Sequence, residues 1–334
     1  MLTRRLGRSG PAVTAIGYGA APLGNLFTAV SDAEADAAVA AAWDAGIRYF
    51  DTAPHYGLGL SERRLGAALR RYPRDEVVLS TKVGRLLVPA GRGGPERDLE
   101  ADFDVPAVLR REWDFTRDGV LRSIDDSLNR LGLDRIDVVL VHDPDEHERQ
   151  ALEGALPALV DLRAQGVVGA VGVGMNQSAM LTRFVERVDL DVVLLAGRYN
   201  LLDQSALDDL LPAARRRGTS VVAGGVFASG ILAREWPPDD APHNYGPAAA
   251  DVLARTRRMA TLCREHGVSL PAAAVQFVLG NDVVASALLG MRSTAEVGTN
   301  VPLLDVHIPG ELWAALQSEG LLRADAPLPS GVLT

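Results

Sequence analysis

The stretch "DVVLVHDPD" (137–145) decides the architecture: an unbroken apolar run, a histidine at its end, then an acidic, proline-containing loop. A strand that is apolar at every position, rather than at every second one, is buried on both faces, as in a parallel sheet wrapped by helices. Working outward, runs of the same kind recur: "VTAIGYG" (13–19), "IRYFD" (47–51), "VVLST" (77–81), "IDVVLVH" (136–142), "VVGAVGVG" (167–174), "DVVLLAG" (191–197), "TSVVAGG" (219–225) and "VVASALLG" (283–290). The segments between them carry helix signals. "SDAEADAAVAAAWDAG" starts at Ser31, has Glu34 three residues later as a capping box, and stops at Gly46. "RDGVLRSIDDSLNRLG" and "DQSALDDLLPAARRRG" each end on a glycine in the same way. Eight β/α repeats without a break in composition predict one (β/α)8 TIM barrel, a single domain over residues 1–334. The first ten residues precede it as a hairpin closing its bottom.

The composition bounds the function. Hydrophobic residues at 47% fill a large interior, and the 5% aromatic content assigns that filling to Ala, Val and Leu. A net charge of −9 argues against a nucleic-acid partner, which would meet a basic face. One cysteine, Cys263, permits no internal disulfide. No run approaches the roughly 18 apolar residues of a membrane span, and no signal peptide is legible at the start. The expectation is a soluble, cytoplasmic protein with no membrane partner; its oligomeric state is not legible.

Four polar side chains fall at or just beyond the ends of three successive strand runs: Asp51, Tyr56, Lys82 and His142. Taken singly, each has an ordinary role. Asp51 could cap the next helix, Tyr56 could be a loop aromatic, Lys82 could reach to solvent, and His142 could be structural. Taken together, on one rim, they make a proton-transfer site. Tyr56 is too weak an acid to shuttle protons at neutral pH, and the Lys82 ammonium is expected to lower its pKa. Lys82 in turn needs a carboxylate, for which Asp51 is placed, while His142 orients a substrate oxygen or relays a proton. Long stretches after strand ends, 84–115 and 226–248, are expected to be substrate loops, with "DPDEHER" a shorter one. Trp113, Trp236 and Tyr245 in the two long loops are candidates to stack on a substrate ring.

Other chemistries fail. "GYGAAP" (17–22) and "GVGMNQ" (172–177) lack the third glycine of a dinucleotide fingerprint, and no phosphate-binding G-x-x-x-x-G-K-[ST] occurs. "HDPDEHE" (142–148) matches no metal spacing and reads as an exposed acidic loop, so no metal is expected. Cys263 sits in a helical pattern without an adjacent base.

The chain resembles the aldo-keto reductases over essentially its whole length. The resemblance rests on "GIRYFDTAPHYGLGLSERRLGAAL", "STKVG", "DVVLVHD", "GVGMNQ" and "GMRSTAEVGTN" in that order. It implies a barrel binding a nicotinamide cofactor across its C-terminal rim, with Asp51, Tyr56, Lys82 and His142 as catalytic tetrad and Tyr56 the general acid/base. It implies that Asn176 holds the carboxamide and that Arg292, Ser293 and Asn300 grip the adenosine end. Departures are Met175 where many relatives have serine, "LAGRYN" where many carry glutamine near position 196, and Gly224 where many have a tyrosine stacking on the nicotinamide. Phe227 is the candidate replacement for that ring. Glu296, near the expected 2′ position, would repel a phosphate, so NAD is expected with NADP as alternative. The variants look most like the family's sugar-oxidising branch. The expected activity is oxidation of the anomeric carbon of an aldose, of the L-fucose or D-arabinose type, to a lactone. The alternatives are reduction of small aldehydes or ketones, oxidation of pyridoxal, and a regulatory barrel that binds the cofactor without turnover.

Overall fold

In the computed structural model, which describes residues 1–91, 95–244 and 246–329, the chain begins with an antiparallel hairpin of Thr3–Arg5 (β1) and Ala12–Thr14 (β2). There follow Ile16–Gly19 (β3), Tyr49–Asp51 (β4), Val78–Val83 (β5), Arg85–Pro89 (β6), Leu109–Trp113 (β7), Val138–His142 (β8) and Ala170–Met175 (β9). Val192–Ala196 (β10), Ser220–Gly224 (β11), Pro242–His243 (β12), Gly246–Pro247 (β13) and Val284–Gly290 (β14) complete the strands. Eight of them close into a barrel in the order β3-β4-β5-β8-β9-β10-β11-β14, every pair parallel. This is the expected (β/α)8 barrel.

Two cores follow from the parallel arrangement, in which alternate residues point in and out. Outward residues such as Phe50, Leu79, Val139, Val171 and Val193 pack under the helices. Inward residues Tyr49, Leu140, Leu194 and Val222 fill the barrel. Leu6 and Val13 of the first hairpin join Val138, Ala170 and Val192, the first residues of their strands, so the hairpin plugs the barrel's N-terminal end as expected. Each large apolar side chain buried in this way contributes about 1.5–3 kcal/mol.

Local signals set most boundaries. Helix Asp32–Asp44 begins at Ser31 with both hydrogen bonds of the capping box. Helix Arg117–Leu131 begins at Thr116, whose hydroxyl accepts from Gly119 N, and stops at Gly132 in the left-handed conformation. Such caps contribute about 1 kcal/mol each. Two expectations were too simple. The run 13–19 is two strands, because Ala12–Thr14 pairs backward with the N-terminal hairpin before the barrel strand starts. The helix expected from Asp203 begins only at Leu210, after a 3-10 turn at Ser205–Leu207. Asp203 and Asp209 accept from the backbone N–H groups of Ser205 and Leu210, competing with continuous helix.

The rim insertions also have structure of their own. In the 84–115 insertion β6 and β7 form an antiparallel hairpin, and Leu58, Phe103 and Val105 make a small separate core beneath it, against Tyr56. In the 226–248 insertion a turn at Ala228–Gly230 leads to the two-residue hairpin of β12 and β13. No helix among the described residues is long and apolar enough to cross a membrane.

Candidate active site

Three neighbouring strands carry the polar side chains to the C-terminal rim. Asp51 is the last residue of β4, Lys82 the fifth of six in β5, and His142 the last of β8. They are 1%, 2% and 6% exposed, so each must be satisfied inside the protein. Lys82 Nζ lies 2.7 Å from Asp51 Oδ2, and donates to Thr52 O at 2.9 Å and to the Tyr56 hydroxyl at 3.1 Å. All three ammonium protons therefore have acceptors. The second Asp51 oxygen accepts from Ser80 Oγ at 2.6 Å, its register partner on β5. Tyr56 comes from the loop after β4. Its neighbour Gly57 has φ +60°, and a Cβ there would fall 2.2 Å from Gly24 O. Only glycine lets this loop lie against the turn Ala21–Gly24, and that contact sets the position of the tyrosine. Three of the four expected residues, Asp51, Lys82 and Tyr56, are thus one hydrogen-bonded group.

Electrostatics correct one expectation. Burial pushes the Tyr56 phenol above its ordinary pKa, and Lys82 offsets only part of that rise. The reason is that Asp51 sits on the same ammonium and itself opposes a second negative charge. Burial disfavours the Lys82 charge, but Asp51 and Tyr56 outweigh it and hold the ammonium protonated well above its ordinary range. The resting site is therefore a neutral phenol on a fixed cation, a donor for reduction and, once deprotonated, a base for oxidation.

His142 is held neutral: burial pushes its pKa well down, and Arg85 and Lys82 add to the effect. Its ring stands edge-on to Tyr56, centroids 5.8 Å apart. Beyond it lies a polar wall legible only in part from the sequence. Asp143 is paired with Arg85 at 2.5 Å, so the loop after His142 is not the exposed acidic segment expected. Burial raises the Asp143 carboxyl, and Arg85 counters it. His55, the residue before Tyr56, packs against His142 at 5.6 Å and Phe103 at 5.3 Å; burial, then Arg85 and Arg111, pushes its pKa down to about 2. Arg111, held by both oxygens of Asp98, donates to His55 O at 2.9 Å. The missed signal was adjacency: His55 flanks Tyr56, and Asp143 flanks His142.

A cavity of about 500 Å³ opens over the ends of β9, β10 and β11. Its walls include Asn176, Gly197, Arg198, Gly225, Ala228 and Asn244. None of the four tetrad side chains lines it; the link is Asn176, two residues past Gly174, the register partner of His142. A Cβ on Gly197 would meet nothing within 4 Å, while one on Gly225 (φ +62°) would strike Gly197 N at 2.8 Å. This bare backbone floor, flanked by an amide and a guanidinium, fits the flat carboxamide ring and phosphates of a nicotinamide dinucleotide.

The remaining expected residues divide. Asn176 lines the cavity. Gly224 is buried in β11, and its neighbour Gly225 forms the wall instead. Phe227 is half-buried against the main core, and Ala228 and Ser229 take the cavity side, so its ring is not among the lining residues. After β14, Ser293 caps helix Thr294–Asn300 by accepting from Glu296 N. Asn300 is that helix's half-buried last residue. Glu296 Oε2 accepts from Arg292 N at 2.8 Å, and Oε1 lies 3.3 Å from Arg292 Nε. Trp113 is half-exposed with the Arg85 guanidinium 4.5 Å over its ring, but it packs beside Phe115 and His147 and does not line this cavity. Trp236 is a correction. It lies on the outer wall between Arg257 and Arg264 of helix Ala250–Glu265, beside Ala260 and Gly267, because its loop folds back along that helix. Tyr245 lies outside the described residues.

Comparisons with known proteins bear on the family and the fold. The family model described as "Aldo/keto reductase family" matches residues 15–319. The chain is 51% identical to D-threo-aldose 1-dehydrogenase of Pseudomonas sp, over 94% of this chain and 96% of that one. It is 44% identical to pyridoxal 4-dehydrogenase of Microbacterium luteolum, over 96% and 97%. Among solved structures, an aldo-keto reductase from Bacillus halodurans superposes with a TM-score of 0.74 at 24% identity, covering 98% of both chains.

Proposed function

The chain belongs to the aldo/keto reductase family and is a nicotinamide-dependent oxidoreductase, and from that premise we propose that it is an aldose 1-dehydrogenase. It oxidises the anomeric carbon of a cyclic sugar to a lactone. The observation that carries the reading is the chain Asp51–Lys82–Tyr56, with Lys82 donating to the phenol oxygen at 3.1 Å, in a protein 51% identical to an aldose dehydrogenase.

When bound, the nicotinamide supplies the hydride acceptor. The protein's own groups do the rest. Asn176, Gly197, Arg198 and Gly225 hold the nicotinamide end, and Arg292, Ser293 and Asn300 the adenosine end. Tyr56, as phenolate on the Lys82 ammonium, takes the anomeric hydroxyl proton. His142, neutral, hydrogen-bonds that same oxygen and sets its angle to the tyrosine. Asp51 keeps Lys82 charged and in place through the change in Tyr56. General-base assistance of this kind contributes about 10²- to 10⁴-fold.

We further propose that the cofactor is NAD. The carboxylate of Glu296 already occupies Arg292, the cation best placed after β14 to meet a 2′-phosphate. A cytoplasmic setting belongs to the same reading, and is supported by a single, buried, unpaired cysteine. A second substrate, pyridoxal, is favoured by the 44% identical relative. Initial rates with L-fucose, D-arabinose, pyridoxal and a simple aldehyde, each with NAD and NADP, separate these at the NADH absorbance band. Sugar oxidation with NAD should be fastest; faster turnover of pyridoxal or of the simple aldehyde overturns the aldose assignment.

A further inference from the structure

The wall beside the tetrad holds more hydrogen-bonding capacity than the reacting oxygen needs. Of the seven buried side-chain nitrogen or oxygen atoms without a partner among the described residues, four lie here: His55 Nδ1, His142 Nδ1, Arg85 Nε and Arg111 Nε. Buried polar atoms are normally paired, so their concentration in one wall marks a place where a ligand completes the set. Tyr56 and His142 account for one substrate oxygen. His55 touches both, its ring centroid 5.9 Å from that of Tyr56 and 5.6 Å from that of His142. It is backed edge-on by Phe103 and fixed through its carbonyl by Arg111.

We propose that His55 is a specificity-determining residue which, with Arg85, binds the hydroxyl on the carbon next to the reacting one, so that the enzyme selects aldoses bearing a 2-hydroxyl. This rests on the aldose reading above. A hydroxyl both donates and accepts. A neutral imidazole offers one site of each kind, and the Arg85 guanidinium offers donors only. One 2-hydroxyl can therefore accept from Arg85 while exchanging a second hydrogen bond with His55. Burial first, and then the charges of Arg85, Arg111 and Lys82, keep the imidazole uncharged, which preserves its acceptor. A simple aldehyde presents a single oxygen and leaves this pair unmet. Sites built to hydrogen-bond a substrate hydroxyl discriminate strongly against the analogue that lacks it, because the buried groups are then stranded.

D-arabinose and 2-deoxy-D-ribose differ only at C2 and provide the test. The wild-type enzyme should favour D-arabinose by about 10²-fold or more in kcat/KM. His55→Phe keeps the ring packing on Phe103 and Tyr56 and should shrink that preference at least about tenfold, chiefly through KM. His55→Asn, which retains a donor and an acceptor, should recover part of it, and carries the test if His55→Phe does not fold. Equal losses on both sugars in the variants, with the ratio unchanged, would mean that His55 only packs and would overturn the inference. So would a wild-type enzyme indifferent to the 2-hydroxyl. Absence of turnover with either sugar in the wild type overturns the aldose reading itself and the inference with it.

Discussion

The rim of this barrel has two arcs built on opposite plans. Over β4 and β5 the side chains are buried and mutually satisfied: Asp51, Ser80, Lys82 and Tyr56 form one hydrogen-bonded chain. Over β9, β10 and β11 the floor is glycine backbone beneath an open cavity, with polar groups only at its edges. The first arc is rigid because an unpaired buried charge there costs several kcal/mol, so each group holds the next. The second stays open because its ligand brings most of the surface. Chemistry and binding are thus separable here, and the variants below test that separation in order of expected effect.

Tyr56→Phe removes the one proton carrier and nothing else from the first arc. Turnover should fall about 10³-fold, while NADH affinity, measured by fluorescence titration, stays nearly unchanged. A variant with normal turnover would remove Tyr56 from the mechanism. A variant that loses cofactor binding as well would show that the two arcs are not separable.

Lys82→Met acts on the same arc through the phenol's pKa. Oxidation requires the phenolate, and burial already raises the Tyr56 pKa. The wild-type oxidation rate should therefore climb with pH into the alkaline range, while reduction, which needs the phenol, persists across it. Without the ammonium the alkaline rise should move higher still, and oxidation at pH 8 should drop about 10- to 100-fold. The substitution also strands Asp51, at a cost of about 3–5 kcal/mol. The double variant Lys82→Met/Asp51→Asn relieves that cost, so it should regain stability without regaining the wild-type pH profile. A profile that returns with stability would make Lys82 a structural residue only.

The same contrast explains what the sequence disclosed. Residues of the first arc are hydrophilic at the ends of apolar runs, where nothing but function or pairing explains them, so Asp51, Lys82 and His142 were legible one by one. The barrel was legible because eight buried parallel strands leave eight continuous apolar runs. His55 and Arg85 were passed over because a loop histidine and a post-strand arginine look solvated until Phe103 folds over one and Asp143 meets the other. Only half of the Tyr56 pKa is legible in sequence: Lys82 lowers it as expected, but burial, which a sequence does not display, outweighs that. Trp236 was misplaced because loop length says nothing of direction. Its contacts with Arg257 and Arg264 depend on the loop turning back along a helix distant from the mouth. Gly225 and Gly197, which shape the cavity, carry no side-chain signal at all.

The smallest effect belongs to the rim after β14, the strand next beyond the second arc. Glu296 faces Arg292 with both oxygens, one on the backbone N–H and one near the guanidinium. Both side chains are more than a third exposed, so the pair is screened and its coupling is at the low end for ion pairs, about 0.2–1 kcal/mol. Glu296→Gln keeps an oxygen to accept from Arg292 N while removing the charge that would oppose a 2′-phosphate. The NADP-to-NAD ratio of kcat/KM should rise about twofold to fivefold, with kcat itself little moved, and added salt should narrow the shift. A ratio that stays fixed would mean that the carboxylate does not face the 2′ position, and the preference for NAD would then have to be set elsewhere along the rim. A large fall in kcat would be the more damaging result, because it would tie a cofactor-binding residue after β14 to the proton chain that begins on β4, two strands along the rim.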